Sequence, residues 1–134
     1  MNNTTVNIGD TRTFTREVTR QDVAHFDDEA VHDVLSTFAI TRDAEWAGRL
    51  FVHDMKESHE EGIGTFVEVQ HKGPAFIGEL VLFTSTLTSF QANGEVITDF
   101  VATVGARTIA TGRTGQRILP KDKLASLMQK AKDM

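Results

Sequence analysis

The chain has no cysteine, which excludes disulfides, thiolate nucleophiles and cysteine-ligated zinc. It also has no run of Lys or Arg. Its 14 basic residues stand against 19 acidic ones, for a net charge of −5. That balance disfavours nucleic acid or an anionic membrane surface as a partner. No apolar stretch is long enough to span a bilayer, and the opening MNNTTVNIGD has no signal-like apolar segment. A soluble, cytoplasmic protein is expected. Conventional catalytic motifs are missing too. The 5 histidines, His25, His32, His53, His59 and His71, form neither H-x-x-x-H nor H-E-x-x-H, so no metal site is expected. Gly62-Ile63-Gly64 and Gly112 to Gly115 fit no phosphate or dinucleotide loop, and no Gly-x-Ser-x-Gly elbow is present.

What is present is ordinary globular composition, 40% hydrophobic and 25% charged over 134 residues, which suits a single domain with one core. Ile8-Gly9-Asp10 reads as a turn, followed by a β-prone strand from Thr11 to Val18. Thr19 to Asp22 looks like a cap and predicts a short helix through Val23 and Phe26. Asp27 to Asp33 is polar and reads as a loop. Ile40, Ala44, Ala47, Phe51 and Met55 recur at steps of four, three, four and four. That spacing predicts a long amphipathic helix from about Thr37 to Ser58, capped by Ser36 or Thr37, with Gly62 ending the region.

Four strands are expected next. Ile63 to Lys72 is interrupted by Gly73-Pro74, and Leu80 to Phe90 is rich in Thr, Val, Leu and Phe. Glu95 to Val104 returns from an Asn93-Gly94 hairpin, and Thr108 to Leu119 is loosened by Gly112 and Gly115. Pro120 starts a last helix, with Leu124, Leu127, Met128 and Ala131 at helical spacing. Only one helix is long and apolar enough to cover a sheet. The economical packing is therefore α+β, a curved antiparallel sheet wrapped around one long central helix, in one domain over residues 1–134.

With motifs absent, position carries the chemistry. Glu45 lies off the centre of the apolar stripe, three residues after Arg42 and four before Arg49. A solvated ion-pair stripe is the ordinary use of such a residue. Alternation along the first of the four strands puts Thr65, Val67, Val69 and His71 on one face, towards the core or a cavity in it. A buried histidine satisfied by backbone is the ordinary use there. Thr37 at the head of the helix changes the picture. Hydroxyl, carboxylate and imidazole are what acyl transfer needs as nucleophile or orienter, base and acid.

The series Thr37…Glu45-Trp46-Ala47…Gly64-Thr65…His71 resembles hot-dog-fold thioesterases of the fluoroacetyl-CoA thioesterase type, over most of the chain from Gly9-Asp10 into the final helix. The resemblance implies a hot-dog fold and hydrolysis of a small acyl-CoA, or another pantetheine thioester, to carboxylate and free thiol. It implies Thr37, Glu45 and His71 as the catalytic set, Gly64 ahead of the histidine, and a substrate-contacting arginine at Arg117, with Arg113 as its rival. It also implies a homodimer with shared active sites and no cofactor. The N–H groups at the helix start would polarise the thioester carbonyl. Whether Glu45 activates water or attacks, and whether Thr37 attacks or orients, stays open.

Two departures bear on the substrate. The fluoroacetate-specific member has an aromatic lid just before its Thr, and here that stretch is DDEAVHDV, without Phe. The acyl group is therefore open. Arg42 and Asp43 interrupt a helix stretch that is mostly apolar in the relatives, and either reshape the pocket or pair with Glu45 and disable it. Coenzyme A is polyanionic and the protein acidic, so Arg117, Arg113 and Lys72 are expected at the cleft mouth. Two other readings stand beside this one. IGDTRTFTREVTRQDVAHF is similar to the start of (R)-specific enoyl-CoA hydratases, whose Asp and His lie five residues apart within G-D-x-N-P-x-H. Asp27 and His32 have that separation without the Gly, Asn and Pro. The other is a catalytically silent acyl-CoA-binding hot-dog protein, with Glu45 spent on Arg42 and Arg49.

Overall fold

The computed structural model describes residues 6–26 and 29–134, and at 25, 26 and 29–32 the backbone alone. Strand β1 (Thr11–Glu17) leads through a 3-10 turn (Arg20–Asp22) to β2 (Val23–Phe26), β3 (Glu29–Leu35) and helix α1 (Thr37–Met55). Strands β4 (Glu60–His71), β5 (Leu80–Phe90), β6 (Glu95–Val104) and β7 (Arg107–Pro120) follow, then α2 (Lys121–Lys132). Five strands form one sheet in the order β1-β5-β6-β7-β4, every neighbouring pair antiparallel, while β2 and β3 pair separately. Helix α1 lies across one face of the sheet and touches all five strands.

The apolar spacing along α1 becomes its packed face. Ile40, Ala44, Ala47, Phe51 and Met55 are all buried, together with Ala39 and Val52. Gly48 allows the helix to sit close to the sheet. A Cβ there would run into Thr114 Oγ1 and lie 2.9 Å from Thr98 Oγ1. Those two hydroxyls bond each other at 2.6 Å, so the polar pair under the helix is satisfied.

Three local expectations change. The helix predicted through Val23 and Phe26 stops after one turn. Thr19 N–H and Oγ1 both donate to Asp22 Oδ2, at 3.0 and 2.9 Å, and Val23–Phe26 then pairs with β3. Cross-strand pairing overrides the cap signal. The expected loop from Asp27 to Asp33 contains most of β3. Asp27 and Asp28 lie outside the described residues, and Leu35 N–H donates to Ala75 O at 2.8 Å. Strand β4 begins at Glu60, so Gly62 sits inside a strand, where the Val52 side chain fills the place of its missing Cβ.

A bulge in β4 also changes which residues share a face. The register passes from Gly64↔Gln116 to Phe66↔Gly115, leaving Thr65 as the extra residue. Thr65 consequently leaves the face it was expected to share with Val67, Val69 and His71, and its hydroxyl lies beside Gly115. Among the described residues no helix is long and apolar enough to cross a membrane.

The segment between β4 and β5 is clamped at its far end. Arg107 Nη1 donates to Pro74 O at 2.7 Å and to Glu79 Oε1 at 2.8 Å, and its Nη2 donates to Glu79 Oε2 at 2.7 Å. These bonds, with a further one from Phe76 N–H, lower the Glu79 pKa from 4.5 to about 2. The unfolded chain takes up the proton first, so the clamp stabilises fully above pH 4.5 and is lost as pH falls towards 2. In thermal melts, the Tm gap between wild type and Glu79→Gln is expected to be constant from neutrality to about pH 4.5 and to close below it. A gap independent of pH would remove this role.

Candidate active site

Ser36, not Thr37, caps α1. Its hydroxyl accepts from Ala39 N–H at 3.0 Å and satisfies one donor that the helix start leaves open. Thr37 is thereby free, and its Oγ1 lies 2.9 Å from His71 Nδ1. Which of the two donates depends on the histidine tautomer. His71 is exposed in the single chain rather than buried in the core. The reason is geometric: α1 begins at Thr37, so no further turn lies over the last residue of β4.

Glu45 forms no ion pair with Arg42 or Arg49. Arg42 turns to Asp43 through Nε and Nη2, at 3.0 and 3.1 Å, and Nη2 also reaches Asp22 Oδ1 at 3.1 Å. Asp43 is fully buried and takes two more bonds from Arg16 of β1, at 3.1 and 3.4 Å. Burial pushes the Asp22 carboxyl up, yet bonds from Thr19 and Arg42 outweigh it and hold the group below its ordinary pKa. Arg49 goes to β4, donating to Gly62 O and Glu61 Oε1 at 3.0 Å each. The two departures in α1 therefore pair with each other and with their neighbours, not with Glu45.

The Glu45 carboxylate reaches over β4, where its Oε1 occupies the space a Cβ on Gly64 would need. It also lines an open groove of about 430 Å³ with Phe38, Thr41, Arg42, Trp46 and Arg49. Thr37, Thr41 and Glu45 follow one another at steps of four along one ridge of the helix. Eight residues rise about 12 Å, so one chain does not bring Glu45 against the Thr37–His71 pair.

Arg117 does not join them. Its neighbours Gln116 and Ile118 are buried against α1, so alternation sends Arg117 to the other face of the sheet, where its Nε donates to Asn93 O at 3.2 Å. Arg113 shares that outer face and binds Asp99 at 2.7 Å. The residue of β7 that does approach the site is Gln116, opposite Gly64 in the ladder. The sequence carried the signal, since a Gln alternating with Thr114 and Ile118 must point inwards. Of the hydratase pair, Asp27 lies outside the described residues, and the His32 side chain does too. Glu57, His59 and Glu60 bring potential ligand atoms within 4.8 Å of one another, at the turn between α1 and β4.

An antiparallel sheet wrapped on one helix is the hot-dog architecture, here with a hydroxyl–imidazole pair at the helix start and a carboxylate along the helix. Residues 18–122 match the fluoroacetyl-CoA-specific thioesterase family, and the chain belongs to that family. A hypothetical protein of Thermus thermophilus, a thioesterase superfamily member, is 30% identical; the match covers 97% of this chain and 96% of that one, with a TM-score of 0.89. A hot-dog-like protein of Thermanaerovibrio acidaminovorans shares the fold at 21% identity and a TM-score of 0.86, over 96% of this chain and 95% of that one. The fluoroacetyl-CoA thioesterase itself shares it at 18% identity and a TM-score of 0.82, over 93% of this chain and 96% of that one. No curated protein matches by sequence. The chain is thus a thioester hydrolase of the acyl-CoA thioesterase class.

Proposed function

We propose that the protein hydrolyses a small acyl-CoA, with Glu45 as the base that activates water. The observation that carries this reading is the placement of the Glu45 carboxylate in the groove over Gly64, with both flanking arginines bonded elsewhere. Glu45 takes a proton from water, the water oxygen forms a bond to the acyl carbon, and the C–S bond breaks. The Thr37–His71 pair stands at the start of α1, where helix N–H groups favour the developing oxyanion. The proton that Glu45 took from water passes by way of His71 to the leaving thiolate, which departs as the free thiol and leaves both side chains as they began. Gly64 serves by leaving room for Glu45.

The site is shared between two copies of the chain in this reading. A twofold axis near Thr41 would set residue 45 of one α1 beside residue 37 of the other, because each lies four positions from Thr41. Phe38 is 82% exposed and Trp46 48% exposed on the groove they line, and a second helix would cover them. Such a dimer closes the roughly 12 Å gap that one chain leaves open. A cytoplasmic location fits a coenzyme A thioester as substrate.

The test is hydrolysis of acetyl-, fluoroacetyl-, propionyl- and aromatic acyl-CoA. Turnover of at least one is expected, and failure on all would return the silent binding protein or the hydratase. Arg117 is kept as the contact to the distant, anionic part of coenzyme A, reached from the outer face. Arg117→Ala is expected to raise KM several-fold with little change in kcat, as loss of uniform binding does. An unchanged KM in steady-state assays would take that role from it.

A further inference from the structure

The side chain of Gln116 is fully buried, and neither its Nε2 nor its Oε1 has a hydrogen-bond partner among the described residues. Buried amides are almost always paired, so one left open on both atoms points to a partner supplied by the site. Its position says which. Gln116 pairs across the ladder with Gly64. The space left by the missing Gly64 side chain is where the Glu45 carboxylate reaches in, and Gln116 Oε1 lies 3.9 Å from that same point. A carboxylate and a buried amide therefore converge on one small volume, and neither has a hydrogen-bond partner among the described residues.

We infer that Gln116 is a positioning residue for Glu45, its amide N–H donating to the carboxylate across the gap that Gly64 leaves. Gln116 presents an acceptor oxygen, Oε1, towards the point that Glu45 Oε1 also approaches. A half-turn of the amide exchanges oxygen and nitrogen at almost no steric cost and puts Nε2 towards the carboxylate. The bond would hold Glu45 over Gly64 and favour its ionised, basic form. The inference rests on the reading of Glu45 as the catalytic base.

In the shared site the second copy's His71 faces Glu45, and within one chain the neighbouring charges among the described residues are already engaged. From α1 itself come Arg42, bonded to Asp43 and Asp22, and Arg49, bonded to Glu61 of β4. From β7 the facing residues beside it, Thr114 and Ile118, carry no charge. The acid limb of the pH profile should accordingly respond to Gln116.

Gln116→Met keeps the length and bulk of the side chain and removes both polar atoms. On an acyl-CoA that the wild type hydrolyses, the variant is expected to lose about tenfold in kcat, with KM within about twofold. The acid limb of kcat against pH should move up by about one pH unit. Its Tm should stay close to that of wild type, because Met fills nearly the same buried volume. A merely structural Gln116 would leave kcat and the pH limb alone, and that result in folded protein overturns the inference. Gln116→Leu gives the same readout should the Met variant fold poorly. Glu45→Gln, run in parallel, separates the two readings. Wild-type turnover in it removes the base and the inference together. Impaired turnover in it beside an unaltered Gln116→Met removes the inference alone.

Discussion

Glu45→Gln is expected to lower kcat by about 100-fold or more while changing stability by only a few tenths of a kcal/mol. The substitution is nearly isosteric, so the side chain still fills the space above Gly64, and what disappears is the charge and the basic oxygen. The small stability cost follows from the ion-pair pattern, in which Arg42 is held by Asp43 and Asp22 and Arg49 by Glu61, with Glu45 in neither pair. A solvated stripe residue would show the same small stability change and no loss of turnover. Steady-state kinetics beside a thermal melt therefore decides between the two uses of this carboxylate. Full activity in the variant would falsify the general-base assignment.

The parts of this protein that were legible in its sequence are those where one local pattern decides the outcome. The apolar steps from Ile40 to Met55 fixed the helix and its buried face, because no other element competes for them. Asn93-Gly94 fixed the β5–β6 hairpin, since Gly94 has φ +93 and a Cβ there would collide with Ile118 O. The β2–β3 pair was illegible, because β2 is only four residues long, follows directly on a helix-cap signal, and pairs with β3 in an irregular register. Within the site, Thr37 and His71 could be named but not joined. Their bond depends on Ser36 taking the cap and on the length of β4 relative to α1. The bulge at Thr65 is a tertiary event that alternation alone cannot foresee. Arg117 and Gln116 show what residue type alone leaves undecided. One step along β7 places the arginine on the outer face of the sheet and Gln116 on the face towards α1.

Two inactive variants mixed together are expected to recover activity. If the site is shared, Glu45 of one subunit works with Thr37 and His71 of the other. A homodimer of Glu45→Gln then has two sites without a base, and a homodimer of His71→Ala has two without an imidazole. A mixed dimer combines both lesions in one site and leaves the other site wholly wild type. With random exchange, half of the dimers are mixed and each has one intact site out of two, so activity should climb to about a quarter of the wild-type value. The variants should be mixed under mild denaturant and then returned to buffer, with each variant alone taken through the same treatment. Light scattering on the wild type should give the mass of a dimer. No recovery in samples shown to have exchanged subunits would put Glu45 and His71 to work within one chain. That outcome is hard to reconcile with the roughly 12 Å along α1 between residues 37 and 45. The mixing experiment therefore tests the dimer and the catalytic assignment through one number, and the exposed faces of Phe38 and Trp46 are where the exchange should be felt.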